Sequence, residues 1–305
     1  MFGSHLSVAG GMVNALVAAD ELGFDTVQVF TKNQRQWRVP DLKDSESREW
    51  LEGLKSRGWQ RRTCAHATYL MNCASADAEL WKKSAAMLAT ELERCAELSI
   101  PYLVAHPGAH LGEGLEAGAR RIARACREVF GKGVGKPTVL CLENTAGGGS
   151  TMGRTFEELA LVRRMIDEEC QGDSAGRVGY CFDTCHALAA GYDLANHAEG
   201  STKKRTRDEA EKAAQGVLDE FDRVCGLGNL KVVHLNDSKG KRGSRIDRHE
   251  HIGHGEVALG AFRAVVRRSE LKDVPMILET PKEDDEKGRP WDTVNLGVLK
   301  RLMKA

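Results

Sequence analysis

The chain has 305 residues, 41% of them hydrophobic, enough apolar material for a sizeable core. Lys and Arg number 44 and so do Asp and Glu, so net charge gives no support to a nucleic-acid partner; one would need basic residues gathered on a single face. The nine cysteines are scattered and never spaced Cys-x-x-Cys, which argues against a disulfide framework or a thiolate zinc finger, and the longest apolar runs are strand-sized, too short to span a membrane.

The first residues, Met1 to His5, lack a basic start followed by an apolar stretch, so they read as the beginning of the fold rather than as a secretion signal. Strand-like runs follow in order at Phe2–Leu6, Thr26–Phe30, Thr63–Ala67, Tyr102–His106, Thr138–Glu143, Val178–Asp183, Lys231–Leu235 and Pro275–Glu279. After each comes a turn and a segment with helical spacing. One such segment begins near Gly11 with Val13, Leu16, Val17 and Leu22; another holds Trp81, Ala85, Leu88, Leu92 and Cys95. Near-continuous apolar strands alternating with helices imply a parallel sheet, and eight of them imply a single α/β (β/α)₈ TIM barrel over residues 1–305. Two stretches interrupt the alternation. Asn196 to Arg207, with Lys203, Lys204, Arg205 and Arg207, reads as a solvated loop; Ser238 to Gly255 is too irregular for a strand or helix and is rich in His and Asp. Gly131 to Lys136 ends in Pro137 and fails the phosphate-loop pattern, and Ala146 to Gly149 lacks dinucleotide-binding spacing.

The chemistry lies at the strand ends. Strands three to eight finish on His66, His106, Glu143, Asp183 (with His186 three residues on), His234 and Glu279. In such a barrel the C-terminal strand ends form the active-site face. Strand alternation turns the residues two before the ligands inward: Cys64, Val104, Cys141, Cys181, Val232 and Ile277. It turns Ala65, Ala105, Leu142, Phe182, Val233 and Leu278 toward the helices, so both faces are apolar and the polar groups appear only at the rim. So many buried carboxylates and imidazoles require a counter-charge, which bound cations supply. Asp247 and His249 follow in the loop after strand seven. Imidazole and carboxylate without thiolate suit Zn²⁺, with Mn²⁺ or Fe²⁺ as substitutes, and the three interior cysteines read as core-filling thiols. His110, His197 and His251 read as surface residues; His254 is left open.

The segments Thr31 to Trp37, Tyr69-Leu70, His106-Pro107-Gly108, Leu142 to Gly147, Phe182 to Ala187, Gly191-Tyr192-Asp193, His234 to Lys239 and Leu278-Glu279-Thr280 together resemble the endonuclease IV family of apurinic/apyrimidinic endonucleases. They run in order through nearly the whole chain. The resemblance implies three zinc ions: one on His66, His106 and Glu143; one bridged by Glu143 and held by Asp183, His234 and Glu279; one on His186, Asp247 and His249. Four carboxylates against three divalent ions would leave a surplus of about two positive charges, suited to a phosphodiester gaining negative charge. The implied reaction is hydrolysis 5′ to an abasic site in duplex DNA, with 3′-end cleaning, Glu143 and Glu279 being catalytic. An abasic nucleotide lacks a stacked base and costs little to extrude. The resemblance makes Arg35, Gln36, Tyr69 and Leu70 the residues that wedge into the gap; Tyr69 and Leu70 could otherwise begin the packing of the next helix. Lys239, Lys241, Arg242 and Arg245 are plausible phosphate contacts.

In two places the chain departs from the family's pattern. The segment from Asp193 to His234 is longer than expected, and position 67 is Ala where some relatives place a carboxylate beside the first His ligand. A rival reading is a metal-dependent sugar isomerase or epimerase, whose smaller metal site would not need Asp247 and His249. A monomer is expected, in the cytoplasm near the nucleoid of a bacterium or in the nucleus of a eukaryote, and not secreted.

Overall fold

The computed structural model describes residues 1–304. Eight parallel strands close into a barrel: β1 Phe2–His5, β2 Thr26–Val29, β3 Cys64–His66, β4 Tyr102–Ala105, β5 Val139–Glu143, β6 Val178–Asp183, β7 Leu230–His234 and β8 Met276–Leu278. β8 closes the ring by pairing with β1, Ser4 opposite Leu278. All eight runs read from the sequence are strands. β6 has the expected bounds, β7 is displaced by one residue toward the N-terminus, and the others lose a residue at one or both ends.

Why a barrel closes here is visible in its interior. Cys64, Val104, Cys141, Cys181, Val232 and Ile277 form an apolar cluster of their own, separate from the main core. Their neighbours Ala65, Ala105, Leu142, Phe182, Val233 and Leu278 belong to that larger core beneath the helices. Both sets follow from the period-two alternation of side chains. The ring is narrow at β1: a Cβ on Gly3 would stand 2.7 Å from the Thr26 carbonyl oxygen and 2.9 Å from Ile277 Cδ1, so a side chain there would force the strands apart.

The outer layer comprises α1 Val13–Glu21, α2 Asp44–Arg57, α3 Ala78–Glu97, α4 Leu115–Phe130, α5 Phe156–Cys170, α6 Thr184–Ala190, α7 Arg207–Cys225, α8 Leu259–Arg267 and α9 Trp291–Lys304. In α3 the stripe Trp81, Ala85, Leu88, Leu92 and Cys95 is buried as its spacing requires. In α1 the buried face is Ala15, Leu16 and Ala19, and Val17, off that face, is exposed.

The irregular segment after β7 has local order the sequence did not reveal. Asp237–Ser238 pair with His249–Glu250 as a two-stranded antiparallel ribbon. Asp237, buried, accepts the backbone N–H groups of Ser238, Gly253, Gly255 and Val257 at 2.7–3.0 Å, a single carboxylate replacing the hydrogen bonds this loop cannot make with itself. Among the described residues no helix is long and apolar enough to cross a membrane.

Candidate metal centre

Four strands end on a candidate ligand: His66 on β3, Glu143 on β5, Asp183 on β6 and His234 on β7, while His106 and Glu279 stand one residue past β4 and β8. Each points as its partner two residues earlier does, so the interior thiols and valines form the floor and the ligands the layer above it. Asp183 is also the N-cap of α6, its Oδ1 accepting the His186 N–H at 2.7 Å. The strand-end ligand and the helix it starts are thereby locked together.

Glu143 is the hub. Its Oε2 lies 3.2 Å from His66 Nε2 and 3.2 Å from His106 Nε2, and its Oε1 lies 2.9 Å from His234 Nδ1. The ligand atoms of His66, His106 and Glu143 fall within 4.8 Å of one another, as do those of Glu143, Asp183, His234 and Glu279. A third group forms where Asp247 Oδ1 approaches His186 Nε2 at 3.2 Å and His249 Nε2 at 3.4 Å. Asp183 Oδ2, 3.8 Å from His249 Nε2, links this group to the second. All nine residues picked out from the sequence therefore meet at one mouth.

The donor set fits divalent cations on two counts. His186 Nε2 and His249 Nε2 are buried and, although Asp247 Oδ1 lies close to both, neither makes a well-formed hydrogen bond, an arrangement that is costly unless a ligand occupies their lone pairs. The charges also require it. Burial opposes ionisation of Glu143, yet His234 and His106 around it hold its carboxyl well below the usual range. The opposite holds for His234: burial disfavours its cation, but the Glu279 and Glu143 carboxylates raise it well above an ordinary imidazole. Such a site attracts positive charge, as protons or as metal. Cys181 and Cys185 also approach two of the groups, and burial pushes both thiols up to about 12, so without a metal they are protonated at neutral pH.

The imidazoles are oriented from behind. His66 Nδ1 donates to the Ala67 carbonyl at 2.8 Å, His186 Nδ1 to the Asn144 carbonyl at 2.9 Å and His249 Nδ1 to the Glu279 carbonyl at 3.2 Å. Each leaves Nε2 free to face the cluster. Ala67 thus needs no carboxylate; its main chain serves. The sequence reading missed four further participants. Gln28 on β2 accepts from His234 Nε2 at 2.9 Å and donates to Glu279 Oε1 at 2.6 Å, and His5 at the end of β1 faces that same oxygen at 3.4 Å. Asn144 takes the Asp183 N–H, and Asn236 donates to Asp183 Oδ2 at 2.6 Å.

The match to known proteins covers the same span. A family model described as a xylose isomerase-like TIM barrel matches residues 16–300. A probable endonuclease 4 of Chloroflexus aurantiacus is 41% identical over 308 residues, covering 99% of this chain and 98% of that protein. The crystal structure of endonuclease IV from Thermus thermophilus superimposes with a TM-score of 0.80 at 36% identity, covering 99% of this chain and 98% of that one. The chain belongs to the endonuclease IV family. A D-tagatose 3-epimerase-like protein also superimposes, with a TM-score of 0.69 at 18% identity over 99% of this chain and 97% of the other, which speaks for a shared fold alone.

Around the mouth of this endonuclease IV family member lies a cavity of about 400 Å³, lined by His66, His106, Asp247, Tyr69, Leu70 and Arg245 among others. Tyr69 is 60% exposed, and its ring centroid is 5.1 Å from that of His66 and 5.7 Å from that of His106. Neither Tyr69 nor Leu70 begins a helix, since α3 starts only at Ala78. Arg35 and Gln36 are exposed on the neighbouring loop after β2, and Lys239, Lys241 and Arg245 are exposed on the loop after β7. Arg242 differs. It donates to the Gly191 carbonyl at 2.7 Å and pairs with Asp193 at 3.3 Å, so it braces the loop rather than facing outward.

The long segment before α7 was expected to be a solvated loop, and Lys203 and Lys204 are exposed as such a loop would have them. Arg205 is not. It grips Asp193 with two nitrogens at 2.6 and 2.7 Å, and Asp193 in turn holds Arg242. Arg205→Ala is expected to destabilise the protein by about 1–3 kcal/mol, with Arg205→Lys restoring only part of it because Lys lacks the two-pronged geometry. Thermal unfolding checks this, and an unchanged melting temperature would show the clamp to be dispensable. His251, expected at the surface, is buried: its ring stacks on Trp291 with centroids 4.0 Å apart, and Nδ1 meets Asn295 at 3.3 Å. His110 and His197 are half-buried, while His254 is exposed, its ring edge-on to Trp291.

Proposed function

We propose that this chain is a zinc-dependent apurinic/apyrimidinic endonuclease that hydrolyses the phosphodiester 5′ to an abasic site in duplex DNA. The products are a 3′-hydroxyl and a 5′-deoxyribose phosphate, and the same chemistry cleans blocked 3′ ends. One observation carries the reading: nine His, Asp and Glu side chains meet in three adjoining ligand groups, with Glu143 and Asp183 shared between groups. His66, His106 and Glu143 would hold one ion, Glu143, Asp183, His234 and Glu279 a second, and His186, Asp247 and His249 a third. Divalent ions bound there lower the pKa of water and offset the negative charge that a phosphodiester gains on the way to products.

The chain's own residues do the rest. Glu279, its Oε1 held by Gln28 and its backbone N–H by Asn236, is the carboxylate we assign to orienting the attacking water. The cavity that Tyr69 helps to line, about 400 Å³, has room for an extruded deoxyribose, and a nucleotide without a base costs less to extrude than one that is stacked and paired. Tyr69 and Leu70 fill the gap left in the stack, Arg35 and Gln36 approach it from the adjacent loop, and Lys239 and Arg245 contact phosphates across the mouth. A net charge of zero is compatible with this because the cations stand at the rim.

The deciding experiment is incision of a duplex bearing a tetrahydrofuran abasic analogue, before and after a strong chelator and again after zinc is returned. Cleavage on the 5′ side that is lost and then regained is the expected result. Intact duplex at full zinc occupancy would refute the reading.

A further inference from the structure

Thr68 stands immediately before Tyr69, and its two polar groups bind two different segments. Its backbone N–H donates to Glu91 Oε1 on α3 at 2.9 Å, and its hydroxyl donates to the Gln34 carbonyl at 2.5 Å. Gln34 immediately precedes Arg35 on the loop after β2. The hydroxyl oxygen also receives the Leu70 N–H at 3.4 Å, so one side chain touches the root of both rim loops. Thr68 and Glu91 are both buried, and burial raises the Glu91 carboxyl while the Thr68 N–H, Lys32, His66 and Arg94 work against that rise. The first loop is fixed from its other end as well. Buried Lys32 donates to the carbonyls of Asn33 and Gln36 at 2.9 and 2.8 Å, and Arg94, one turn beyond Glu91, donates to the Thr31 carbonyl at 2.6 and 3.0 Å. Neither Thr68 nor Glu91 is among the candidate ligands, and both side chains are spent on main-chain groups of the rim loops.

We infer that Thr68, anchored by Glu91, is a positioning residue that holds the Arg35 loop and the Tyr69 loop at one fixed separation, so that both enter damaged DNA as a single preformed element. This inference rests on the DNA reading proposed above. Its physical content is preorganisation: loops already ordered lose less conformational freedom on binding, so the gain appears in affinity and not in the chemical step.

The test uses the zinc-loaded full-length enzyme and the tetrahydrofuran duplex. Thr68→Val keeps the shape and removes the hydroxyl, and it is expected to raise KM and the dissociation constant about tenfold with kcat and zinc content unchanged. Thr68→Ser is expected to restore wild-type affinity. In the wild-type background the effects of Arg35→Ala and Tyr69→Ala on affinity should be non-additive, and in the Thr68→Val background they should add. Wild-type affinity for Thr68→Val, additive effects in both backgrounds, or a fall in kcat together with zinc loss would each overturn the inference. If neither Arg35→Ala nor Tyr69→Ala weakens binding, the DNA role of the loops fails first, which separates the two outcomes.

Discussion

Glu279→Gln is expected to lower the rate of abasic-site incision by about 10³-fold while the protein folds, binds the abasic duplex and retains zinc at its first group. The replacement keeps the shape of the side chain. Its amide oxygen can still accept from Gln28 Nε2, and the backbone contacts remain, because the Asn236 side chain takes the Glu279 N–H and His249 Nδ1 the Glu279 carbonyl. What disappears is the negative charge that His234, His5 and His66 hold ionised against burial. An amide is a poor acceptor for a proton leaving water and a weak partner for a cation. Glu143 is less informative to change, since four imidazoles surround it and its loss would dismantle the cluster. The measurements are single-turnover incision, duplex affinity and elemental zinc analysis on the same preparation. Incision at the wild-type rate would remove Glu279 from the mechanism.

The candidate ligands stood out in the sequence because two simple rules coincide at them. Strands buried on both faces are apolar, so a His, Asp or Glu at the last position stands out, and the barrel sends all such positions to one face. The interior set ending in Ile277 was readable for the same reason, since alternation along a strand is fixed by covalent geometry. What failed to show is what depends on partners distant in sequence. His251 is buried only because Trp291, forty residues later, lies flat against it. The ribbon at Asp237 has two residues on each side, too few for any periodicity, and its stability comes from one carboxylate gathering amides from a loop 16 to 20 residues further on. His5 and Gln28 were within reach: the strand-end rule extends to β1, and a lone polar residue inside the run Thr26 to Val29 has to find a partner in the barrel. Asn144 and Asn236 lie beside ligands in motifs already noticed, but nothing in the spacing says that each hydrogen-bonds Asp183.

Removing the metals should destabilise the protein, and by an amount that grows with pH. Without cations the buried carboxylates can be balanced only by protons on the imidazoles. Burial resists this, but Asp183, Asp247 and Glu143 raise His186 well above the ordinary imidazole value of 6.5, and Glu143 and Glu279 raise His66. His234 is raised in the same way. A raised imidazole contributes stability that is fully present below the unfolded value and is lost as pH climbs through the folded one. The metal-free protein therefore weakens as pH climbs from the ordinary imidazole value of 6.5 through the raised values of these three residues. The lowered carboxylates act in the other direction but far below this window, because Glu143 and Glu279 stay ionised throughout it. For the zinc-loaded protein the sign reverses: protons compete with zinc for the same nitrogens, and that competition fades as pH rises. The melting temperatures of the two forms should accordingly diverge, by roughly 10 °C or more near pH 8 at zinc well above its dissociation constant and by less near pH 6. Scanning calorimetry of chelated and zinc-restored samples across that range gives the difference directly. A gap that stays constant would mean that the imidazoles at the barrel mouth do not exchange protons for metal, and a gap of zero would mean that no metal is held there.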